Sequence, residues 1–450
     1  MRAILTTDPL FIDLYELTMA QAYLRSGRTG HATFSLYFRN FPPNRAYYVF
    51  CGLESSIEYL RSLAFSQNAL DALDRMRLFD DVLLDYLSSF KFTGSVRAMK
   101  EGEIFFPNEP VIEVSGPIIE CQIAETFLIN QVNLESMLAT KAARVVDSVD
   151  GRQVVDFASR RTHGLDAGIK FARASYIAGF AGTSNVRAAS LYGIPAVGTM
   201  AHSYISTFDN ETDAFSSYAK SFPDSSTFLV DTYDTLDGVQ NAIEVARGMA
   251  ARHGSLRAIR LDSGDMLVLS RQARDMLDHA GLHDVRILAS SGLDEYSISD
   301  LVCSGAPIDG FGVGTLVGTS ADAPYTDFVY KLVEYDGKPM MKFSEDKVSL
   351  PGPKQVYRIS NADGQFERDF ITHADHPICN ENSSPLLNQI AENGCFVDTL
   401  PDVNTTRQYH RTMIERLPPD LRGPVPAGNY RVDTSDRLDT LADRVRQRTC

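Results

Sequence analysis

In RAIRLDSGD, residues 257–265, an apolar run ends in small, polar and charged residues. Runs that are apolar along their whole length are typical of parallel strands covered on both faces. Five further runs have the same form: VVDFASRR (154–161), PAVGTMAH (195–202), TFLVDTYD (227–234), RILASSGLD (286–294) and IDGFGVGT (308–315).

Helical patterns such as LDGVQNAIEVARGMAARHG (236–254) and MLVLSRQARDMLDHAG (266–281) separate these runs. Repeated βα units about 30 residues apart predict a parallel barrel or a doubly wound sheet. Any one polar cluster is equally explained by turn chemistry, since Asp, Ser and Gly are common in turns. Six clusters at equivalent positions favour a barrel, because its strand ends converge on one mouth where chemistry takes place.

The sequence predicts three segments. Residues 1–120 mix helical stretches with short β segments as an α+β domain, and residues 121–330 carry the βα units of an α/β barrel with the active site. Residues 331–450 return to β patterns and end in a peripheral charged helix. We therefore expect an α/β fold, a parallel βα barrel with a second α+β domain built from both chain ends.

The composition argues against several classes of partner. The net charge of −15 argues against a nucleic-acid partner, because phosphate backbones repel an anionic protein. No stretch approaches the roughly 20 apolar residues of a membrane span. The six cysteines form no CxxC pair, and the first residues lack a signal pattern. We expect a cytoplasmic protein without a membrane partner and without a protein-bound metal.

Two glycine-containing loops are the strongest phosphate signals, SSGLDE (290–295) and GFGVGT (310–315). Glycines allow backbone N–H groups to approach an anion closely, and a helix N-terminus adds a positive dipole. Two such loops after adjacent strands predict a phosphate cradle near the end of a barrel. Neither loop has Walker or Rossmann spacing.

Three other strand ends carry candidate chemistry. Arg260 offers a fork for a carboxylate, and Asp262 could hold a ribose hydroxyl or a metal-bound water, or the two could form a buried pair bracing the barrel. His202 could be a base, a nucleophile toward phosphate, or an ordinary core or surface histidine. Phe157 and Arg160 suit a heteroaromatic ring with an acidic group, although Phe157 is equally explained as a core residue.

Taken together, these motifs resemble the nicotinate phosphoribosyltransferase family along nearly the whole chain. The matching segments include TDPLFIDLYELTMAQAY (7–23), LYFRNFPPNRAYYVFCGLE (36–54), DFASRRTHGLDA (156–167), GFAGTSNV (179–186), GIPAVGTMAHS (193–203), LVDTYDT (229–235) and PGPKQVYR (351–358).

The resemblance implies an irregular α/β barrel in a homodimer whose subunits share active sites. Such enzymes join nicotinate and phosphoribosyl pyrophosphate (PRPP) to give nicotinate mononucleotide and pyrophosphate with Mg²⁺, in NAD synthesis. ATP hydrolysis is coupled through a phosphohistidine. The small-molecule partners expected from the resemblance are therefore nicotinate, PRPP and ATP.

Residue roles follow from the same resemblance. His202 would be phosphorylated, Thr199 and Arg260 would contact nicotinate, and Asp262 would orient the ribose or Mg²⁺-bound pyrophosphate. Tyr15 would stack on the pyridine from the partner subunit, opposite Phe157. The ribose phosphate would be cradled by Ser290, Ser291, Gly292, Gly312, Gly314 and Thr315. Further substrate contacts are expected from Arg160, Thr183, Ser184, Ser263 and Gly264, and pyrophosphate or ATP contacts from Arg39, Arg45, Lys347 and Lys354.

One position bears on the substrate. Members specialised for nicotinamide carry an aspartate in the segment that matches residues 182–185, where this chain has Ser184. A carboxylate there would repel nicotinate, so its absence favours the acid. Two other hypotheses remain from the motifs, a phosphate-binding barrel isomerase or aldolase and a catalytically inactive nucleotide sensor. The first leaves the segments around Tyr15 and His202 unexplained, and intact His202, Arg260 and Asp262 argue against the second.

Overall fold

The computed structural model describes residues 8–250, 254–344, 347–378 and 381–449, without the side chains of residues 250, 344, 347, 348 and 449. The chain forms two compact units. Unit 1 comprises Met1–Thr140 and Tyr325–Cys450, and unit 2 comprises Lys141–Pro324.

The first part of the chain is mixed α and β. Its elements are α1 (Leu14–Ser26), β1 (His31–Phe38), β2 (Tyr48–Val49), α2 (Leu53–Ser62), α3 (Gln67–Arg75), α4 (Asp81–Ser88), β3 (Ser95–Ala98), β4 (Ile104–Phe105), β5 (Ile112–Pro117), α5 (Ile118–Ile123) and α6 (Glu125–Ser148).

The middle part alternates strands and helices. Its elements are β6 (Gln153–Asp156), α7 (Leu165–Ala178), β7 (Gly182–Thr183), α8 (Val186–Tyr192), α9 (His202–Ile205), α10 (Glu211–Ser221), β8 (Ser226–Leu229), α11 (Thr235–Ala250), β9 (Leu256–Leu261), α12 (Met266–His279), β10 (Arg286–Ser290), α13 (Glu295–Cys303), β11 (Gly310–Val313) and α14 (Thr315–Gly318).

The last part is mainly β. Its elements are β12 (Phe328–Tyr335), β13 (Lys338–Pro339), β14 (Phe343–Ser344), β15 (Lys347–Val348), β16 (Lys354–Ser360), β17 (Phe366–His373), β18 (Ser383–Pro385), β19 (Asn388–Glu392), β20 (Cys395–Phe396), α15 (Val403–Arg416), a 3₁₀ turn (Pro419–Leu421), β21 (Arg431–Thr434) and α16 (Asp436–Thr449).

Unit 1 is built around a seven-stranded sheet in the order β13-β12-β1-β5-β3-β19-β20, which combines strands from both ends of the chain. All residues of β1 from Ala32 to Phe38 are buried, which is typical of a central strand. The strand pairs with β12 on one side and with β5 on the other. Helix α1 ends at Gly27, whose φ of 67° is a left-handed conformation that favours glycine.

Unit 2 contains a six-stranded parallel sheet in the order β7-β6-β11-β10-β9-β8. Within this sheet β6 is the first strand along the chain and β11 is the last, and the two pair with each other. The same pairing of first and last strands closes a sequentially wound barrel. Beyond β7 the pairing continues only as a single bridge between Thr183 and Ala196. The sheet is therefore a curled half-barrel, and the predicted α/β fold with a parallel barrel and a second α+β part from both chain ends is confirmed.

The run PAVGTMAH, residues 195–202, differs from the prediction. It forms one bridge at Ala196, and the remaining residues up to His202 are not part of a strand. Pro195 has no N–H to donate to a neighbouring strand, and the glycine at 198 weakens extended structure. The residues before His202 therefore form a loop rather than a barrel strand.

None of the helices in the described part of the chain has the length and apolar character needed to cross a bilayer.

Candidate active site

A cavity of about 480 Å³ lies inside the curled sheet of unit 2. Alternate residues of neighbouring strands face it, because successive side chains of a strand point to opposite faces. Phe157 after β6, Arg260 on β9 and Gly312 on β11 line the cavity together with Thr199 from the loop before α9. The structure thus brings together Phe157, Thr199 and Arg260, three of the residues that the resemblance assigns to nicotinate.

Arg260 is one of three arginines that line this cavity, with Arg257 and Arg286. Its guanidinium donates to the hydroxyl of Thr199 and lies 6.0 Å from the centre of the Phe157 ring. Its Nε is buried, and the described residues offer it no hydrogen-bond partner. Burial lowers the pKa of Arg260, and the carboxylates of Asp262 and Asp231 oppose that shift. A half-buried fork with a spare donor beside an aromatic face suits a planar aromatic carboxylate.

Gly312 makes room for the Phe157 ring. A Cβ atom added at Gly312 would lie 2.5 Å from Cε2 and 2.6 Å from Cδ2 of Phe157. Any side chain would therefore push the ring into the cavity or out of its position. This contact explains the glycine without invoking a phosphate, and it leaves Phe157 half-buried with the cavity beside it.

His202 is held by two neighbours at the start of α9. Its Nδ1 lies 3.1 Å from the hydroxyl of Thr232, and its Nε2 lies 3.6 Å from Oδ2 of Asp262. The other carboxylate oxygen of Asp262 accepts a 2.5 Å hydrogen bond from Ser290. One chain of contacts therefore links the candidate phosphohistidine, the candidate ribose ligand and the first serine of the SSGLDE loop.

Asp231 is a residue of this network to which the sequence analysis gave no role. It is buried, and its Oδ2 accepts hydrogen bonds from the backbone N–H of Asp262 at 2.9 Å and from the Ser263 hydroxyl at 2.6 Å. Its Oδ1 is buried and has no hydrogen-bond partner among the described residues. The signal was present as the DTYD cluster after β8, where Asp231 is the first polar residue.

The two glycine loops follow neighbouring strands, since Ser290 of β10 pairs with Gly312 of β11. Ser291 has a φ of 81° and Gly292 a φ of 63°, so two consecutive residues are left-handed. Such a conformation turns successive N–H groups and is uncommon for serine. Ser291, Gly292 and Thr315 are exposed, as a loop that receives a phosphate must be.

The segments after β6 and β7 are joined by a buried carboxylate. Asp156 accepts hydrogen bonds from the Thr183 hydroxyl at 2.5 Å and from the N–H of Ala158 at 2.7 Å. Burial raises the pKa of Asp156 to about 6, although both hydrogen bonds lower it. Thr183 is therefore turned toward Asp156, whereas Ser184 and Arg160 are exposed.

Ser263 and Gly264 lie at the start of the loop that leads into α12. The Ser263 hydroxyl is engaged with Asp231, as described, and Gly264 is exposed with a φ of 82°. A side chain at Gly264 would be strained by that backbone conformation and would meet Leu269 at 2.6 Å. Both residues thus shape the loop that carries Asp262.

The predicted residues of unit 1 have different surroundings. Tyr15 is exposed near the start of α1, where burial by its neighbours and the Glu125 carboxylate raise the pKa of its phenol. Arg39 is half-buried, and Arg45 is buried. The side chain of Lys347 lies outside the described part of the structure.

Lys354 is buried in unit 1. Its ammonium donates to the carbonyls of Gly352 at 2.7 Å and Leu350 at 3.2 Å and lies 3.6 Å from a Glu113 oxygen. Burial lowers the pKa of Lys354 to about 8, and Glu113 opposes that shift. Two donors of the ammonium are hydrogen-bonded to carbonyls and the buried charge is paired with Glu113, which favours a bracing role over the phosphate contact expected from the resemblance.

Within the described ranges, no group of three or more His, Cys, Asp or Glu side chains is arranged to hold a metal ion. The site of unit 2 thus combines an aromatic face, a cation with a spare donor, an oriented imidazole and two glycine loops. That arrangement can hold an aromatic acid beside a phosphorylated sugar.

Comparison with known proteins agrees with this chemistry. The nicotinate phosphoribosyltransferase (NAPRTase) N-terminal domain model matches residues 10–133, the NAPRTase family model matches residues 152–349, and the C-terminal domain model matches residues 377–442. Nicotinate phosphoribosyltransferase pncB2 of Mycobacterium tuberculosis is 48% identical over 431 residues, which cover 95% of this chain and 92% of that protein.

A second sequence relative and a solved structure belong to the same family. The nicotinate phosphoribosyltransferase of Bacillus subtilis is 40% identical over 456 residues, covering 95% of this chain and 93% of its own. The crystal structure of human nicotinic acid phosphoribosyltransferase matches with a TM-score of 0.87 at 27% identity, covering 96% of this chain and 99% of that one. Sequence and fold agree over nearly the full length of each protein, and the chain therefore belongs to the nicotinate phosphoribosyltransferase family.

Proposed function

We propose that this enzyme joins nicotinate to PRPP, giving nicotinate mononucleotide and pyrophosphate for NAD synthesis, with ATP coupled through His202. The observation that carries the proposal is the cavity of unit 2, where Phe157 and a half-buried Arg260 with a spare donor adjoin the two glycine loops. An aromatic acid and a phosphorylated sugar are the ligands that such neighbouring features recognise.

Nicotinate binds in the cavity with its ring against Phe157 and its carboxylate toward Arg260 and Thr199. The pyridine nitrogen is the nucleophile and has a free lone pair, so the reaction requires no protein base. The bond from this nitrogen to C1 of the ribose forms as the bond from C1 to pyrophosphate breaks. Protein groups contribute by holding the two reactants in line and by stabilising charge on pyrophosphate.

The sugar phosphate is received by the loops after β10 and β11. Backbone N–H groups of residues 290–292 and 312–315 are the donors, with the Ser290 and Thr315 hydroxyls nearby. Asp262 orients the ribose, because it stands at the end of β9 between Ser290 and His202. Ser263, Gly264 and Asp231 support it by fixing the backbone at Asp262.

ATP phosphorylates His202. A nitrogen of the neutral imidazole attacks the γ-phosphorus, the bond to the bridging oxygen breaks, and ADP leaves; water later returns the histidine and releases phosphate. Support comes from the two contacts that orient the ring, Thr232 on one side and Asp262 on the other. A carboxylate beside the opposite nitrogen favours the positive charge that develops on the ring during attack.

Mg²⁺ would enter with pyrophosphate. It commonly binds through one or two carboxylates plus substrate phosphates and retained waters, without a cage of protein ligands. Asp231, with one buried oxygen that lacks a partner among the described residues, and Asp262 fit that requirement. When bound, the ion would neutralise charge on the leaving pyrophosphate.

The enzyme acts as a homodimer with shared sites, in which Tyr15 closes the nicotinate pocket of the partner subunit. Phe11, Leu14 and Tyr15 are exposed apolar residues around the start of α1, as a surface that docks on another chain would be. Arg39, Arg45 and Lys347 serve pyrophosphate or ATP phosphates. The free thiols of Cys51, Cys121, Cys303 and Cys395 favour a reducing compartment, the cytoplasm.

The proposal is tested by turnover of the purified protein. Labelled nicotinate with PRPP and Mg²⁺ should yield labelled nicotinate mononucleotide, and ATP should stimulate the reaction. Absence of product with and without ATP would contradict the proposed reaction.

The phosphohistidine is tested separately. His202→Ala should abolish the ATP-stimulated part of the rate and the acid-labile label from γ-labelled ATP, while His279→Ala, at an exposed histidine of α12, should retain both. Acid-labile label that persists in His202→Ala would overturn the assignment of that residue without affecting the proposed transfer reaction.

A further inference from the structure

A cluster of four charged side chains, three of them buried, lies in unit 2. Lys141 and Arg144, three residues apart on one face of α6, contact the carboxylate of Glu295. The Lys141 ammonium lies 2.5 Å from Glu295 Oε2 and 2.7 Å from Asp322 Oδ1, and Arg144 Nε lies 3.0 Å from Glu295 Oε1. The side chains of Lys141, Arg144 and Glu295 are at most 1% exposed, and that of Asp322 is 29% exposed.

The two carboxylates belong to the two glycine loops. Glu295 is the first residue of α13, three positions after Gly292 of the loop that follows β10. Asp322 lies four positions after α14, the short helix that begins directly after Gly314 of the loop following β11. One ammonium group therefore connects the segments that continue from both loops.

An aromatic residue completes the connection. Arg144 donates to the Tyr296 hydroxyl at 3.2 Å, and that hydroxyl lies 3.4 Å from Asp322 Oδ2. The Lys141 ammonium also lies 5.8 Å from the centre of the Tyr296 ring. The start of α13 is thus tied to α6 and to Asp322 by separate contacts.

Burying three charged side chains is a costly way to stabilise a fold, because well-packed apolar residues often stabilise it as much or more. Charged clusters can fix one geometry better than apolar packing does, because ion pairs with hydrogen bonds are directional. The loop beside Glu295 needs such support, because Ser291 and Gly292 are both left-handed. Sparsely populated backbone conformations persist only where the surrounding structure determines them.

We propose that the Lys141–Arg144–Glu295–Asp322 cluster is a positioning device that sets the spacing of the two phosphate loops and so the affinity for PRPP. This inference rests on the proposed function, in which these loops hold the sugar phosphate. The four side chains act through the loops rather than on substrate. Their loss should therefore weaken PRPP binding and leave nicotinate binding, at Arg260 and Phe157, nearly unchanged.

The test is the double variant Lys141→Met/Glu295→Gln. The cluster has two cations and two carboxylates, and the double change removes one charge of each sign, so no net charge is left buried. Because displacements of about 1 Å can cost roughly 100-fold, we expect KM for PRPP to rise about 10- to 100-fold. KM for nicotinate, measured at saturating PRPP, should stay near the wild-type value.

Arg274→Met is the matched control. Arg274 of α12 pairs with Asp278 and donates to the carbonyls of Val285 and Leu282, at the opposite end of β10 from the loop. Its loss also breaks an ion pair and lowers Tm, but KM for PRPP should not change. A rise in KM for PRPP in the control equal to that of the double variant would show that general destabilisation is sufficient, and would overturn the inference.

Other outcomes are equally decisive. Unchanged KM for PRPP in a folded double variant, or parallel increases for both substrates, would also overturn it. If the double variant does not fold, Asp322→Asn at the partly exposed end of the cluster takes its place, with the same selective rise in KM for PRPP expected. Wild-type protein without any turnover of nicotinate and PRPP would refute the proposed function instead, so the two failures are distinguishable.

Discussion

Replacement of Arg260 by Met should reduce the preference of the enzyme for nicotinate over nicotinamide. The two substrates have the same ring and differ in the carboxylate, which is the group that Arg260 is proposed to bind. Methionine fills similar space and is flexible, so the cavity is not emptied. The change therefore removes a charge and its donors while it largely preserves packing around Phe157 and Thr199.

The magnitude follows from the surroundings of Arg260. One guanidinium nitrogen donates to Thr199, and the buried Nε has no partner in the described part of the chain, so donors remain for the ligand. A charge-assisted hydrogen bond in a partly dry site contributes about 1.5–3 kcal/mol. That range corresponds to a loss of roughly 10- to 150-fold in kcat/KM for nicotinate.

The assay compares kcat/KM for nicotinate and nicotinamide at saturating PRPP, for the wild type and Arg260→Met. Arg286→Met is the control, because Arg286 lines the same cavity from the first residue of β10, at the other end of the strand from the loop. The ratio of the two substrates should fall in Arg260→Met and stay near the wild-type value in Arg286→Met. A ratio unchanged by loss of Arg260 would refute the assignment of the carboxylate to this residue.

Gly312→Ala should lower the unfolding free energy by about 1–3 kcal/mol and lower kcat/KM for nicotinate, because the new methyl group meets the Phe157 ring. Gly248→Ala, at an open position of α11, is the control and should change neither quantity. Thermal melts and steady-state kinetics measure both effects. Mixing Tyr15→Ala chains with His202→Ala chains should restore activity, because one hybrid site keeps both residues; inactive, verified heterodimers would count against shared sites. Burial raises the pKa of Asp156 to about 6, above the value near 4 that an unfolded chain would have. The neutral carboxyl group therefore stabilises the fold fully below pH 4, and this stabilisation is lost as the pH rises to about 6. Urea unfolding of Asp156→Asn should therefore depend less on pH between those values, and a slope equal to that of the wild type would contradict this.

The parallel strands of unit 2 could be predicted because their sequence is apolar along its length and changes abruptly at the end. Apolar runs around residues 154, 227, 257, 286 and 310 become β6, β8, β9, β10 and β11. Their polar ends lie at one edge because parallel strands share a direction, which is why Arg260, Asp262 and Ser290 could be grouped from the sequence. His202 follows a loop, so its contact with Asp262 is not explained by strand direction.

Local pattern could not predict contacts that depend on distant backbone. The helical segment of residues 118–148 is divided at Ala124 into α5 and α6, although nothing in its residues breaks helical periodicity. Asp231 is one of several aspartates in turn-like clusters, and its distinction is a hydrogen bond to a residue 31 positions away. Lys354 stands in an ordinary β pattern, yet its partners are two nearby carbonyls and Glu113 from a distant strand.

A competition assay with the purified wild-type protein tests the proposed reaction and its substrate preference together. Equal concentrations of nicotinate and nicotinamide are supplied with PRPP, Mg²⁺ and ATP, and both mononucleotides and pyrophosphate are measured in one mixture. Nicotinate mononucleotide should be the dominant product, formed one-to-one with pyrophosphate. Nicotinamide mononucleotide in equal or greater amount, or pyrophosphate release without a nucleotide product, would contradict this expectation.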